Sequence, residues 1–468
     1  MRTKLLALTA LALAPASGWS VTPTPEPWHS KSRVMLEHLV NVPTVIGRDR
    51  VPDIANWLAE QYRVAGFPTD DIKVLPYNHT AALIVRWRAT GKTKSKPIML
   101  MAHMDVVEAK REDWTGTDPF TFTEKDGYYY GRGTIDIKQG VTATTIALFE
   151  LKASGFKPAR DIIVFYTGDE ETGGEGAELG ATKWHDLLDV EYGLNADGGG
   201  GEFASDGRPI GFTLQSAEKT YADYTLTTHN RGGHSSKPRA DNAIYQLANA
   251  LHRLETYRFE PVLNETTRAY FAERGKREPG PLGDAMRAWI GNPTDGKAAD
   301  IIEANESTAG LTRTRCVATR LAGGHADNAL PQLATANVNC RIMPGVSPDA
   351  IKDELVKIVA DPGVVVTRND KNASTLASPL RTDIVKAFTD AVHALHPNAP
   401  ILPEMSTGAS DARPFRVGGI PVYGVDGSWV VAPVDLRAHG QDERLPVKAL
   451  GDDVDHWMMM VSKLAGGR

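Results

Sequence analysis

Hydrophobic and polar positions in the first part of the chain follow two alternating patterns. Short continuous apolar runs, typical of buried strands in a parallel sheet, occur at residues 98–102 and 162–164. Between them, residues 140–154 carry apolar side chains at helical spacing, and Gly155 is a typical helix stop. Strands that alternate with helices in this way predict an α/β fold, with helices covering both faces of a sheet.

The pattern changes near residue 217. Residues 221–229 alternate like a half-buried strand, and residues 243–254 have the spacing of a helix. Two strands, a helix and a last strand follow, at 312–321, 334–341, 347–359 and 363–367. This β-α-β-β-α-β order is the ferredoxin-like arrangement.

The chain therefore divides into a catalytic domain and a second domain inserted within it. At 468 residues it is long for one domain, which supports two. We predict a catalytic domain from residues 27–216 and 376–468, and an inserted domain at 217–375. Within the latter, residues 261–309 have helical patches between Pro and Gly breaks and are predicted to be a helical insertion that shapes the pocket.

Residues 1–20 have the pattern of a secretory signal peptide. Arg2 and Lys4 precede an apolar core at 5–14, and small residues follow at 14–17. This core is too short to span a bilayer, and no later segment approaches the roughly 20 apolar residues that a membrane helix needs. We expect an exported protein, periplasmic or secreted, with no membrane association. The net charge of −6 and the pI near 6.1 argue against a nucleic-acid partner.

Carboxylate and imidazole side chains follow several of the predicted strands. His103 and Asp105 end the 98–102 run and, being two residues apart, point to the same side of it. Ligands bind at this edge in open α/β sheets. Other candidates come at a strand end, in a glycine turn or in a late loop: Asp136, Asp169, Glu170, Glu171, Asp197 and His439. Each alone fits an ordinary polar pair or a solvated acidic loop, but together they are typical of two zinc-like ions that share a bridging carboxylate.

These motifs, in this order, resemble those of the M20 family of co-catalytic zinc metallopeptidases. The matching stretches are 103–107, 131–138, 169–171, 233–236 and 439–443, and they span nearly the whole mature chain. The family includes carboxypeptidases, dipeptidases, aminoacylases and deacetylases, and its larger, carboxypeptidase S-like members carry extra length near 261–309. The resemblance implies a phosphorylase/hydrolase-like zinc-peptidase catalytic domain with an inserted ferredoxin-like dimerisation (lid) domain.

The resemblance also implies a role for each residue of the cluster. One Zn²⁺ would be held by His103, Asp136 and Asp197, and the other by Asp136, Glu171 and His439, so that Asp136 bridges the two ions. Asp105 would hydrogen-bond the His103 ring, and Glu170 would be the general base that passes a proton to the leaving amine. In the family the peptide bond after the bridging Asp is cis. Cobalt or manganese could replace the two zinc ions of each subunit in vitro.

The resemblance extends to residues outside the metal cluster. His234 lies in a Gly/Ser loop, which would otherwise indicate an exposed surface residue. The resemblance implies that it reaches the active site of a partner subunit and stabilises the oxyanion, and hence that the protein is a homodimer. Asn328 matches a substrate-contacting residue of the family. Arg341 and Arg413 are suited to a substrate carboxylate, although surface salt bridges explain them equally well.

The function implied is an exported di-zinc hydrolase that cleaves an amide next to a free carboxylate. The substrate would be a small peptide or an N-acyl-amino acid, which leaves a carboxypeptidase, a dipeptidase and an N-acyl-amino-acid hydrolase as possibilities. One alternative is a narrow-specificity deacylase, which an export signal disfavours. Another is a non-catalytic binding domain on a peptidase scaffold, which predicts missing ligands, whereas every ligand position here is filled.

Cys316 and Cys340 are the only cysteines. They lie in consecutive predicted strands, each twelve positions from Asn328, so a symmetric antiparallel hairpin places them opposite one another. Export would then allow a disulfide, whereas a bulge in the hairpin would point them to opposite faces and leave two free thiols.

Overall fold

The computed structural model describes residues 26–466, so the predicted signal peptide lies outside the described residues. Its helices are α1 (Glu26–Val40), α2 (Val51–Val64), α3 (Lys138–Ala153), α4 (Glu175–Ala181), α5 (Ala243–Thr256), α6 (Glu265–Gly275), α7 (Gly280–Gly291), α8 (Gly296–Glu303), α9 (Pro348–Val359), α10 (Thr382–Leu395), α11 (Ala412–Val417) and α12 (Val447–Ala465). None of the helices in this range combines the length and the apolar character that a membrane span requires.

Two larger sheets and two small ones organise the strands. The strands are β1 (Ile72–Tyr77), β2 (Thr80–Trp87), β3 (Ile98–His103), β4 (Thr123–Lys125), β5 (Tyr128–Tyr130), β6 (Ile162–Thr167), β7 (Tyr192–Phe203), β8 (Pro209–Glu218), β9 (Thr220–His229), β10 (Gly233–His234), β11 (Arg315–Gly323), β12 (Ala329–Leu330), β13 (Leu333–Ile342), β14 (Val364–Arg368), β15 (Ile401–Ser406), β16 (Val422–Val431) and β17 (Arg444–Pro446).

The large sheet has eight strands in the order β1-β2-β6-β3-β7-β16-β8-β15. Its central strands β3 and β6 are parallel and buried along their whole length, as their continuous apolar runs predict. Side chains of β3 alternate between two cores: Leu100 and Ala102 pack with α1, α2, α3, α10 and α12, whereas Met99 and Met101 pack on the side of α4 and α11. Helices thus cover both faces, which confirms the predicted α/β fold.

The second sheet has four antiparallel strands in the order β11-β13-β9-β14, with α5 and α9 packed on one face. In chain order its elements run β9-α5-β11-β13-α9-β14, so the predicted ferredoxin-like arrangement is confirmed. The chain enters this unit between Glu218 and Thr220 and leaves it near Thr375, whose hydroxyl oxygen lies 3.1 Å from that of Thr220. Entry and exit are therefore adjacent.

The helical insertion forms a small bundle of α6, α7 and α8 around Phe271 and Trp289. Although it belongs to the inserted segment in sequence, its first helix packs on β15, the edge strand of the large sheet. The Thr266 hydroxyl of α6 also lies 2.7 Å from the hydroxyl of Ser216 on β8, the strand next to β15. The bundle therefore covers an edge of the large sheet instead of packing only within the smaller domain.

Cys316 and Cys340 are paired directly across β11 and β13 and form a disulfide bond. The hairpin does contain a bulge, but it lies between Ala318 and Arg320, on the loop side of the cysteines. The symmetric register around Asn328 therefore holds at the cysteines, and the disulfide alternative is the one observed.

Candidate metal centre

His103 ends β3 and is buried, with 1% of its side chain exposed. Its Nδ1 donates to the carbonyl oxygen of Asp105 over 3.1 Å. Its Nε2 lies 3.2 Å from Asp136 Oδ1 and 3.9 Å from Asp197 Oδ1, yet it has no hydrogen-bond partner. A buried imidazole nitrogen that faces two carboxylates without a bond to either is what a metal ligand requires.

Asp136 is delivered by a turn that only glycine permits. Gly133 has φ +93°, and a Cβ atom there would stand 2.9 Å from the Lys138 side chain. Glu443, which is fully buried, holds the turn by accepting the N–H groups of Gly133 (3.0 Å) and Ile135 (2.9 Å). The peptide bond between Asp136 and Ile137 is cis, as the resemblance implies.

Asp136 contacts both histidines of the cluster. Its Oδ1 faces His103, whereas its Oδ2 lies 3.0 Å from His439 Nε2. That same nitrogen of His439 lies 3.1 Å from Glu171 Oε2. One carboxylate with an oxygen toward each of two histidines has the arrangement that a bridging ligand needs.

The turn after β6 brings three acids to the cluster. Asp169 is used structurally, because its carboxylate accepts the N–H groups of Glu175 (2.7 Å) and Gly176 (3.0 Å) at the start of α4. The N–H groups of Glu170 and Glu171 are instead directed at Asp105, at 3.2 Å from Oδ1 and 3.1 Å from Oδ2.

This geometry refines the predicted role of Asp105. Its carboxylate oxygen lies 3.5 Å from the His103 ring nitrogen, farther than its own carbonyl oxygen. The carbonyl of Asp105 is thus the group that orients the ring, and the carboxylate orients the turn that carries Glu170 and Glu171.

The cluster is acidic and its protonation is strongly perturbed. Hydrogen bonds to Asp136 and Glu171 raise the pKa of His439 to about 10. Burial, reinforced by Asp197, raises the pKa of Glu170 to about 10. Burial would also raise the pKa of Asp136, but the close approach of the His103 and His439 rings outweighs it and holds that pKa well below its usual range. Glu170 and the neighbouring carboxylates would be ionised together at neutral pH only with positive charge beyond the two histidines.

The donor set fits a pair of zinc-type ions. Ligand atoms of His103, Asp136 and Glu171 lie within 4.8 Å of one another, as do those of His103, Glu170 and Asp197. Imidazole nitrogen and carboxylate oxygen are the donors that zinc sites use in catalytic proteins. All five predicted ligands, together with Glu170 and Asp105, are therefore brought to one place.

The residues predicted to contact substrate lie elsewhere in the chain. His234 is exposed on β10, pairs with Ala329 of β12, and has its Nδ1 2.8 Å from Ser236 Oγ. Asn328 is adjacent to this pair, since its carbonyl accepts the Ser235 N–H. No hydrogen bond or ion pair joins His234 or Asn328 to the metal cluster in the described part of the chain.

Both predicted carboxylate-binding arginines have partners within the chain. Arg341 stacks over the Tyr221 ring at 4.8 Å on the four-stranded sheet. Arg413 pairs with Glu178 at 2.9 Å and also donates to Asn372. Arg413 therefore forms the surface salt bridge that would explain it without a substrate, and a carboxylate ligand would have to compete with Glu178 for its guanidinium.

Two residues next to the centre were not predicted as site residues. Asp411, two residues before the predicted substrate residue Arg413, is buried, and its carboxylate receives the Thr167 hydroxyl. Burial raises the pKa of Asp411 to about 7. Glu443 belongs to the motif at 439–443, but its role as support for the glycine turn depends on a contact 310 residues apart in sequence. Spacing along the chain carries no signal for either contact.

The chain belongs to the peptidase family M20/M25/M40, whose model matches residues 99–463. The match spans all of the clustered residues and the whole four-stranded sheet. The chain is accordingly an M20-type peptidase or amidohydrolase.

The chain is similar to several named relatives and solved structures. A probable carboxypeptidase S-like 2 of Dictyostelium discoideum is 28% identical over 81% of this chain and 74% of its own. The human N-fatty-acyl-amino acid synthase/hydrolase PM20D1 is 30% identical over 76% of this chain and 71% of its own. Among solved structures, the M20 family metallo-carboxypeptidase Sso-CP2 from Sulfolobus solfataricus superposes with a TM-score of 0.69 at 17% identity, covering 93% of this chain and 99% of that one.

Proposed function

We propose that this protein is an exported, homodimeric di-zinc hydrolase that cleaves an amide bond adjacent to a free carboxylate. The observation that carries the proposal is the buried His103 Nε2, which faces Asp136 and Asp197 with no hydrogen-bond partner. His439, whose Nε2 lies close to both Asp136 and Glu171, would provide the corresponding ligand for the second ion. The substrates are small peptides or N-acyl-amino acids, in line with the names of the relatives.

His103, Asp136 and Asp197 would hold one ion, and Asp136, Glu171 and His439 the other. When bound, two zinc ions supply Lewis-acid activation of water and of the scissile carbonyl. Glu170 then acts as general base: it accepts the proton of the attacking water and delivers it to the leaving amine. Asp105 keeps Glu170 in place by accepting its backbone N–H.

A homodimer would complete the site with His234 of the partner subunit. Support comes from the exposure of His234 and from β11, an edge strand of the four-stranded sheet. Val317 and Leu321 on that strand are 52% and 69% exposed, and Tyr245 on the neighbouring helix α5 is 67% exposed. An exposed edge with apolar side chains is suited to pairing with a second copy of the chain.

Two variants distinguish the general base, Glu170, from the metal ligand, Glu171. Glu170→Gln should retain two metal ions per chain and lose hydrolysis by roughly 10²- to 10⁴-fold, the usual effect of removing a general base. Glu171→Gln should lose metal as well, because its oxygens are the ones next to His439. Glu175→Gln, an exposed acid just past the same turn, is the matched control and should behave as wild type.

Metal content is measured by elemental analysis, and hydrolysis is measured on a dipeptide panel and an N-acyl-amino-acid panel, with and without a chelator. Equal metal loss in the Glu170 and Glu171 variants would remove the distinction between base and ligand. A wild-type protein that is inactive on both panels would favour the non-catalytic binding domain. Activity on a single acyl group would favour the narrow deacylase. Expression with and without residues 1–20 tests export directly.

A further inference from the structure

A buried carboxylate beside the metal centre has no part in the ligand set or in the proposed proton transfer. Asp411, just before α11, is 5% exposed, and its Oδ2 receives the hydroxyl of Thr167. No lysine or arginine forms an ion pair with Asp411 among residues 26–466. It borders instead the turn that carries Glu170 and Glu171, because it contacts Thr167 before the turn and approaches Gly174 after it. A buried carboxylate without a cationic partner costs desolvation, so stability alone does not account for it.

The partner of Asp411 is the residue from which the catalytic turn departs. Thr167 is the last residue of β6, opposite His103 in the parallel register, and its carbonyl accepts the Met104 N–H at 2.9 Å. The next residue, Gly168, is so closely packed that a Cβ atom would stand 2.4 Å from Val51 Cγ1. Asp169, Glu170 and Glu171 come next. A shift of the Thr167 side chain would therefore be transmitted to Glu170 through only two intervening residues, the first of which is too closely packed to relax freely.

Asp411 also faces the far end of the same turn. Its Oδ1 lies 4.0 Å from where a Cβ atom of Gly174 would stand, and Gly174 precedes α4. The turn of residues 168–174 is thus bordered by Asp411 at both ends, while Asp105 holds the N–H groups of Glu170 and Glu171 in its middle.

The loop that carries Asp411 is itself anchored. The Ser410 hydroxyl donates to Glu218 Oε2 over 2.8 Å, and Glu218 is fully buried, with Oε1 3.3 Å from Arg416 Nη1. Ser406, at the start of the loop, is in register with Glu218 across β15 and β8. Asp411 is therefore a fixed point against which the turn can be held.

We propose that Asp411, acting through the Thr167 hydroxyl, is a positioning residue that holds the turn of residues 168–174 so that Glu170 is aligned for proton transfer. The proposal rests on the proposed function, since the role of Glu170 as base comes from it. Partners of this kind, which contact a catalytic group through one intermediate, typically contribute 10- to 100-fold to activity.

The test uses Thr167→Val, which removes the hydroxyl at nearly constant volume, and Thr167→Ser, which retains it. Thr167→Val and Asp411→Ala are each expected to lower kcat by 10- to 100-fold, with KM within twofold of wild type and two metal ions retained. Thr167→Ser should recover kcat to within about threefold. The double variant Thr167→Val/Asp411→Ala should be no more than about threefold worse than Asp411→Ala, since both remove one interaction.

A second measurement does not depend on turnover. Hydrogen exchange of the amides in residues 168–174 should be at least ten times faster in Thr167→Val than in wild type, and normal in Thr167→Ser. Wild-type kcat and exchange in Thr167→Val would overturn the proposal, as would a fall in activity caused only by metal loss or by a higher KM. Should Asp411→Ala fail to fold, the kcat and exchange of the two Thr167 variants test the proposal without it. If wild type hydrolyses nothing, the proposed function fails, and hydrogen exchange alone tests whether the Thr167 hydroxyl holds the turn.

Discussion

Removing the disulfide should destabilise the smaller domain selectively. The bond joins Cys316 to Cys340, 24 positions apart, across the two strands that end near the loop of Asn328. The double change Cys316→Ala/Cys340→Ala is the appropriate perturbation, because Cys340 is fully buried and a serine there would bury an unpaired hydroxyl.

The magnitude follows from the length of the closed loop. In the chain-entropy account, a loop of about 25 residues corresponds to about 3.5 kcal/mol of stability at 25 °C. Each Cys→Ala change also replaces a sulfur atom by hydrogen and loses some packing, so about 3.5 kcal/mol is the expected lower bound in this account. A change of this size corresponds to a roughly 400-fold increase in the equilibrium constant for opening.

The assay must observe the smaller domain itself. Residues 220–256 and 315–368, which form the four-stranded sheet and its two helices, contain no tryptophan, so tryptophan fluorescence would report the other parts of the protein. Hydrogen exchange of the amides on β9 and β13 measures the opening directly. Those on β3 in the large sheet are the internal control and should not change.

Two results would refute this reasoning. One is the titration of two free thiols per chain in the denatured, unreduced protein, which would mean that the bond does not form. The other is a less than fivefold change in exchange on β9 and β13, which would mean that the crosslink adds little to a sheet that is already held by packing. Equal acceleration on β3 would show general destabilisation of the chain.

Three further predictions concern the dimer, the glycine turn and a buried acid pair. Mixing inactive His234→Ala and Glu170→Ala subunits should restore part of the activity, because one site of a mixed dimer keeps both residues; no recovery after verified subunit exchange would exclude action in trans. Gly133→Ala should lower metal affinity at least tenfold, whereas Gly127→Ala, with φ +81° and open space around its Cβ position, should pay only the backbone cost and retain metal. Burial, followed by repulsion from a neighbouring acid, raises the pKa of Asp453, so the folded state keeps a proton that the unfolded chain releases above about pH 4. Stability should therefore fall as pH rises, and Asp453→Asn should flatten this dependence and melt higher than wild type at pH 9; an unchanged pH profile would contradict the shift.

Local patterns were sufficient to predict the strands that carry the site. The apolar runs of β3 and β6 and the helical spacing of α3 come from residues close together in sequence, so their burial could be inferred without the fold. The short strands β4, β5 and β17 were not predicted, because three residues contain no usable period, and because the pairing of β17 with β5 joins segments about 315 residues apart.

The residues of the candidate site likewise include some that local motifs identify and others that only the fold reveals. His103, Asp136, Glu171, Asp197 and His439 could be proposed because each follows a recognisable motif, and the fold brings all five together. The supporting residues could not be identified: Glu443 reaches the glycine turn, and Asp411 reaches Thr167, through contacts 310 and 244 residues apart. The position of the bulge in the β11–β13 hairpin, which determines whether the cysteines meet, likewise depends on packing of the sheet.

Periodicity and motif spacing are properties of neighbouring residues, and they were enough to predict the α/β class, the ferredoxin-like order of the inserted unit and the residues that cluster. The folded arrangement was needed to show that the helical insertion covers β15, that the Asp105 carboxylate holds the Glu170 turn rather than the His103 ring, and that His103 Nε2 is buried without a partner. These outcomes depend on which surfaces meet once loops of hundreds of residues have closed, and that is a matter of packing and burial rather than of local propensity.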